Sequence, residues 1–109
     1  LVKTCHQLRK KPLNDFEIED LRIMIGQNIG LKYLVPIAIE ELKANILSEG
    51  DCYEGDLLKS VLTSEVSFWA ERVDLIGELD KLIQQNLELL DQTDAEFTRE
   101  FNRLKSSVK

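Results

Sequence analysis

The chain has 109 residues, of which 43% are hydrophobic and 31% charged, and its formal net charge at pH 7 is −6. This length suits one globular domain with its own apolar core and is too short for two. The acidic balance argues against direct binding to nucleic acid, which requires a basic face toward the phosphates.

The N-terminal part of the chain predicts two helices and a turn. A short helix over residues 1–11 ends in a basic run before a proline, where cations suit the helix terminus and proline stops its continuation. A second helix begins with Asn14 or Asp15 as its N-cap and carries one apolar stripe. Gly30 predicts a left-handed terminus and turn, and Gly26 predicts close packing against another backbone.

The third predicted helix, from about Lys32 to Ile46, is apolar nearly all round, which is typical of a central helix packed on more than one side. Pro36 fits this helix only in its first turn. Two glycines and four acids without an apolar period then predict a loop over residues 48–56. Asp56 is the expected cap of the next helix, Leu57 to Leu62.

The rest of the chain predicts further helices. A short element carries Phe68 and Trp69, and one long helix runs from about Ala70 to Leu90. A capping box at residues 93–96 begins the final helix, which carries one apolar stripe. The predicted fold class is all-α, a single compact domain over residues 1–109 with about six to seven helices and no sheet.

Leucines at exact heptad spacing lie beside the apolar face of the predicted long helix. These leucines are Leu75, Leu82 and Leu89. Their spacing fits either two intramolecular neighbours or the seam of a dimer, so the sequence leaves homo-oligomerisation open.

Residues that support catalysis or metal binding are scarce. The one histidine, His6, is adjacent to Cys5, and neighbouring side chains on a helix point apart. Cys5 and Cys52 are expected to be separate reduced thiols, and with one histidine they do not supply a usual zinc site. The sequence predicts no enzyme, no cofactor and no metal, although abundant carboxylates keep an acidic catalytic or metal-binding pair as an alternative.

The chain shows no pattern for membrane insertion or secretion. No uncharged run approaches the ~18 residues that a membrane-spanning helix needs. The basic residues near the N-terminus follow no apolar segment, unlike those of a secretory signal. The expected location is therefore the cytoplasm.

Four segments, in order and at matching spacing, resemble the contact-dependent growth inhibition (CDI) immunity proteins of bacteria, the CdiI type. They are LRKKPL (Leu8 to Leu13), DLRIMIGQNIGLKYLVPIAIE (Asp20 to Glu40), EGDCYEGDLL (Glu49 to Leu58) and Phe68-Trp69. The resemblance covers about residues 8–69, so residues 70–109 are predicted to be helical from their pattern alone. The loop departs from the family pattern at Cys52 and Glu54, which bears on its rigidity.

The resemblance implies a small, cytoplasmic, mostly helical protein that is made beside a CdiA toxin. Such a protein binds and neutralises the C-terminal domain of the toxin, which in many systems is a nuclease, often acting on tRNA. The alternative function is a helical adaptor or regulator that binds another cytosolic protein. A toxin gene immediately upstream would distinguish the two.

The excess acid lies after Leu47, where it suits a basic protein partner such as a nuclease domain. The hypothesised toxin-binding residues are Glu49, Asp51, Tyr53, Glu54, Asp56, Glu71, Asp74 and Glu78. Tyr53 is the expected aromatic anchor. The competing interpretation of the loop is structural, with glycines for the turn, Asp56 as a helix cap and Tyr53 packed inward.

Overall fold

The computed structural model describes Pro12 and residues 15–108, and in this part of the chain seven α-helices and no strand are present. The helices are α1 (Ile18–Gly26), α2 (Leu31–Ala44), α3 (Asp56–Leu62), α4 (Val66–Glu71), α5 (Val73–Gln85), α6 (Leu87–Thr93) and α7 (Glu96–Ser107). The predicted all-α class is confirmed. The predicted helix over residues 1–11 and the candidate cap Asn14 lie outside the described residues.

None of the described helices combines the length and the apolar character that crossing a bilayer requires.

Helix α2 packs on more than one side, as its apolar sequence predicts. It packs against α1, α3 and α5. Its buried side chains are Leu31, Leu34, Val35, Ala38, Ile39 and Leu42. Each large aliphatic residue buried in this way stabilises the fold by about 1.5–3 kcal/mol. Pro36 lies in the second turn of α2, so its predicted place in the first turn is wrong, and the carbonyl of Lys32 lacks the amide partner that another residue would supply.

Both ends of α1 differ from their predicted positions. The N-cap is Glu17, whose backbone N–H donates to Asp20 Oδ2 at 2.9 Å, in place of the predicted Asn14 or Asp15. At the C-terminus, Ile29 N–H donates to the carbonyl of Met24 at 3.0 Å, and the left-handed residue between them is Asn28, with φ 57°. This is the geometry of a Schellman motif, in which asparagine takes the position usual for glycine.

The two glycines near this turn have different roles. Gly30 has the predicted left-handed backbone, with φ 65°, and it is the N-cap of α2. Gly26 is exposed, and a Cβ atom placed on it would lie 3.8 Å from Ser60 Oγ, its nearest neighbour. That distance is an ordinary contact, so the predicted close approach of another backbone to Gly26 is wrong.

The predicted long helix is divided into separate helices. Helix α4 ends at Glu71, and Asn86 separates α5 from α6 while its Nδ2 donates to the carbonyl of Leu82 at 2.8 Å. Leu75 and Leu82 are buried, but Leu89, beyond the break, is 44% exposed. The heptad line of leucines therefore does not continue as one apolar seam.

The start of α7 also differs from its prediction. Asp94 Oδ1 accepts a hydrogen bond from Glu96 N–H at 2.9 Å, whereas Thr93 Oγ1 donates to the carbonyl of Leu89 at 2.9 Å. The predicted Thr93 capping box is therefore wrong, because Asp94 provides the side-chain oxygen. The predicted apolar stripe of α7 is present, with Phe97, Phe101 and Leu104 buried. Helix α7 packs against α3 and α6.

Trp69 is the largest fully buried side chain. Its indole Nε1–H donates to Ser64 Oγ at 2.8 Å, and Ser64 in turn donates to the carbonyl of Val61 at 2.6 Å. The ring meets Phe68 edge-on, with centroids 5.3 Å apart. Ser64 therefore satisfies the polar atom of the indole inside the core.

Candidate functional site

The loop at residues 49–55, which we call the acidic loop, is held by hydrogen bonds from its own backbone to the carboxylate of Asp56. Asp56 Oδ1 accepts from Gly50 N–H at 2.7 Å. Asp56 Oδ2 accepts from Cys52 N–H at 3.1 Å and from Tyr53 N–H at 3.3 Å. Asp56 is only 2% exposed, so the turn is built around a buried carboxylate whose oxygens accept hydrogen bonds from three amides.

A second carboxylate, that of Glu19, binds the one backbone amide between Gly50 and Tyr53 that Asp56 does not bind. Glu19 Oε1, on α1, accepts from Asp51 N–H at 2.9 Å. Together with the bonds to Asp56, this leaves all four consecutive amides from Gly50 to Tyr53 bound to carboxylates. The backbone of the acidic loop is therefore joined both to α1 and to the start of α3.

Arg22 links the two carboxylates. Its guanidinium forms a bidentate pair with Glu19, one turn away on α1, and its Nε lies 3.7 Å from Asp56 Oδ2. The hydrogen bond from Arg22 is the main reason that the pKa of Glu19 is lowered, with burial opposing it and the Asp51 amide adding to it. The same hydrogen bond raises the pKa of Arg22, so this group stays charged. A guanidinium between two carboxylates balances charge at the base of the loop.

Two glycines let the loop approach its neighbours. A Cβ on Gly50 would lie 2.5 Å from Glu19 Oε1, too close for any side chain without movement of Glu19. Gly55 has φ 88°, and a Cβ there would lie 2.6 Å from Phe97 Cζ on α7. A side chain at Gly50 would therefore have to displace the Glu19 carboxylate, whereas Gly55 is required both for its backbone conformation and for space.

The side chains of the acidic loop have a different environment from its backbone. Those of Glu49, Asp51, Cys52 and Glu54 are exposed, and Tyr53 is 49% exposed. The structural interpretation of the loop expects Tyr53 to be packed inward, and this exposure shows that it is not. Cys52 is a free thiol, while Cys5 lies outside the described residues.

Asp56 has a structural position rather than a surface one. The predicted role as cap of α3 is wrong, because Gly55 is the N-cap residue and the Asp56 carboxylate turns back to the loop amides. Its burial leaves no carboxylate oxygen at the surface for a partner. The sequence alone assigned Asp56 to the binding surface because composition shows that a loop is acidic but not which acid lies inside it.

The other three hypothesised residues lie on two helices. Glu71 ends α4, and Asp74 and Glu78 lie on α5. Arg72 donates two hydrogen bonds to Asp74, at 3.1 and 3.0 Å, and this pairing lowers the pKa of Asp74. Lys43 Nζ lies 3.4 Å from Glu78 Oε1. Cations thus offset two of the three acids, and within residues 15–108 no hydrogen bond or ion pair joins them to the acidic loop.

Sequence reasoning missed Glu19 and Arg22 as part of this site. An acid followed three positions later by a base on a helix is a visible pairing signal. The partner that gives the pair its importance, the Asp51 amide, is 32 positions away and leaves no local pattern.

Within the part of the chain that the structure describes, no group of three or more histidine, cysteine or acidic side chains is arranged to hold a metal ion. The geometry of the site is that of a rigid turn with exposed acids and an exposed tyrosine, which suits contact with another macromolecule.

Comparison with known families decides the family of the chain. The sequence-family model of the CDI immunity proteins matches residues 1–79 of this chain. The chain belongs to this family. It is thus an immunity protein, with a toxin-neutralising function and a CdiA toxin domain as its partner, and proteins of this family are generally not enzymes.

The family match covers α1 to α4, the acidic loop and the first half of α5. All the hypothesised binding residues, together with Glu19 and Arg22, lie inside it, whereas α6 and α7 lie outside it. No curated protein and no solved structure matches this immunity protein at a significant level.

Proposed function

We propose that this immunity protein neutralises the C-terminal toxin domain of its cognate CdiA protein by binding it through the exposed side chains of the acidic loop. The observation that carries the proposal is the contrast between the two parts of the loop. Its backbone amides are all bound from Gly50 to Tyr53, while its acidic and aromatic side chains are exposed. A surface held in one conformation loses little conformational entropy on binding.

The residues proposed to contact the toxin are Glu49, Asp51, Tyr53 and Glu54. Tyr53 supplies a large amphipathic ring, the kind of side chain that dominates the binding energy of many interfaces. The three acids around it supply a negative field for a basic partner. Asp56 holds the loop from inside and does not contact the toxin in this proposal.

We further propose a nuclease, with tRNA as the candidate substrate, as the cognate toxin. A nuclease domain presents positive charge to the phosphates of its substrate. The immunity protein has a net charge of −6, so its field attracts such a domain. Glu71, Asp74 and Glu78 contribute to this field from α4 and α5, less strongly because Arg72 and Lys43 offset part of their charge.

The two tyrosines provide a matched test of the binding surface. Tyr53→Ala is expected to weaken binding to the catalytically inactive toxin domain about 30-fold or more, the loss typical of an aromatic anchor. Tyr33→Ala is the control, because Tyr33 is 61% exposed but lies on α2, outside the acidic loop. Calorimetry or surface-based kinetics measures both affinities. Equal affinities for the two variants would contradict the proposed surface.

A further inference from the structure

We propose that Glu19 and Arg22 are positioning residues for toxin binding, which act by holding the acidic loop in the conformation that the toxin recognises. Neither belongs to the loop, and both lie on α1. Glu19 binds the Asp51 amide, and Arg22 joins Glu19 to the buried Asp56 carboxylate. This inference rests on the proposed function and assigns part of the affinity to residues outside the contact surface.

The geometry identifies Glu19 as the link on which the middle of the loop depends. Asp56 binds the amides on either side of Asp51, at Gly50 and Cys52, but not that of Asp51 itself. The bond at 2.9 Å from Asp51 N–H to Glu19 Oε1 is the one that joins this amide to a helix. Asp51 is one of the proposed contact residues, so the backbone beneath a contact side chain is attached through Glu19.

Gly50 shows how closely the loop is fitted to Glu19. A Cβ at this position would meet Glu19 Oε1 at 2.5 Å and the Cα of Glu19 at 3.3 Å, and it would lie 3.2 Å from Asp56 Oδ2. Gly50→Ala therefore displaces the Glu19 carboxylate without removing any of the proposed contact side chains. Glu19→Ala and Gly50→Ala perturb the same bond from its two sides.

Arg22 has a distinct part in the arrangement. Two carboxylates at the base of one loop repel each other unless a cation lies between them. The planar guanidinium pairs bidentately with Glu19 and approaches Asp56 with its Nε, which the ammonium of lysine does not reproduce. Arg22→Lys keeps the positive charge but loses the bidentate hydrogen bonds to Glu19, so it tests the orientation of the Glu19 carboxylate separately from the charge.

The test combines amide hydrogen exchange of residues 50–53 with affinity for the catalytically inactive toxin domain of the cognate CdiA protein. Glu19→Ala and Gly50→Ala are expected to accelerate exchange of these amides and to weaken binding about tenfold, mainly through faster dissociation. Glu19→Gln retains a carbonyl acceptor for the Asp51 amide and is expected to lose less affinity. Arg22→Lys is expected to lie between Glu19→Gln and Glu19→Ala.

Ser64→Ala controls for loss of stability alone. It removes the hydrogen-bond acceptor of the Trp69 indole, which is not among the groups that bind the loop amides, and is expected to lower stability while leaving affinity unchanged. If Ser64→Ala weakens binding as much as Glu19→Ala at matched stability, the positioning role is refuted.

Two other outcomes separate this inference from the proposed function. If Tyr53→Ala weakens binding but Glu19→Ala and Gly50→Ala leave it unchanged, the contact surface stands and the positioning role is wrong. If Tyr53→Ala itself has no effect, the proposed surface is wrong and the positioning role fails with it. Unaltered amide exchange in Glu19→Ala contradicts the inference whatever the affinities are.

Discussion

At the scale of single residues, the core contains a polar contact whose energetic contribution can be measured. Trp69 is fully buried, and its indole N–H has Ser64 Oγ as its partner. Ser64→Ala leaves this donor unpaired inside the protein, so we expect a loss of about 1–3 kcal/mol in the free energy of unfolding. Urea unfolding followed by fluorescence of the single tryptophan measures it.

Ser107→Ala is the control for that substitution, because Ser107 Oγ bonds the carbonyl of Arg103 on the exposed side of α7. Its unfolding midpoint is expected to stay close to that of the wild type. Equal midpoints for the two serine variants would show that the indole finds another acceptor.

Two glycines provide a second pair of residue-scale predictions with opposite signs. Gly55→Ala forces a side chain into a backbone with φ 88° and against Phe97, so we expect a loss of at least about 2 kcal/mol of stability. Gly77 lies inside α5 with open space where a Cβ would be, so Gly77→Ala is expected to stabilise the protein by about 0.5–1 kcal/mol. Chemical denaturation of both variants decides whether backbone conformation and space explain these glycines.

At the scale of elements, Glu19, which joins α1 to the acidic loop, makes the stability of the protein depend on pH. The pKa of Glu19 lies below its ordinary value of 4.5 because Arg22 and the Asp51 amide bind the ionised form. A lowered pKa in the folded state contributes stability above about pH 4.5, and that contribution is lost as the pH falls through the folded-state pKa. Glu19→Gln should therefore be less stable than the wild type at pH 6, and the difference should shrink by pH 3.

Unfolding curves at the two pH values measure this difference, with Glu41→Gln on the exposed face of α2 as the control for loss of one carboxylate. A difference between wild type and Glu19→Gln that is the same at both pH values would contradict an ionic contribution from Glu19.

A second prediction at this scale concerns the break between α5 and α6. Leu82 is buried beside the apolar face of α5, whereas Leu89, one heptad later, is 44% exposed because the helix is interrupted at Asn86. Leu82→Ala is expected to cost about 2–5 kcal/mol and Leu89→Ala less than about 0.5 kcal/mol. Thermal denaturation of the two variants compares them directly, and a large loss for Leu89→Ala would indicate that another surface covers it.

At the scale of the whole molecule, the sequence predicts those features that depend on local periodicity. The apolar stripes of α2 and α7 follow from spacing alone, and so does the all-α class. Helix ends are less determined, because Thr93 and Asp94 both have side chains that suit a helix start, yet the N-cap residue of α7 is Ala95 and Asp94 accepts the bond from Glu96 N–H. The break at Asn86 is invisible in an apolar pattern that continues through it.

The candidate site was predicted in part for the same reason. Composition marks an acidic loop with a tyrosine, and the structure agrees that most of its side chains are exposed. Composition does not separate the buried Asp56 from the exposed acids, because the environment of that carboxylate is formed by three amides and by Arg22 from another helix. Contacts between distant segments therefore decide which acids of the loop are buried and which are exposed.

The net charge of −6 belongs to the whole molecule, and its effect on binding can be separated from that of the loop. Two double reversals change the net charge equally, Asp51→Lys with Glu54→Lys in the loop and Glu40→Lys with Glu41→Lys on α2. We expect both to slow association with the toxin domain at low salt, because long-range attraction depends on total charge. Only the loop pair is expected to speed dissociation and to reduce the salt dependence most strongly, because its charges lie at the proposed contact.

Stopped-flow association and dissociation rates across a range of salt concentrations measure these effects. Equal dissociation rates for the two double variants would mean that the acidic loop attracts the toxin without touching it. Glu40→Lys also removes one of the two acidic partners of Lys43, whose Nζ lies 3.2 Å from Glu40 Oε2, but this pair is exposed and contributes little to stability. The α2 pair is therefore expected to fold as the wild type does, and any difference in toxin dissociation can be assigned to the position of the charge.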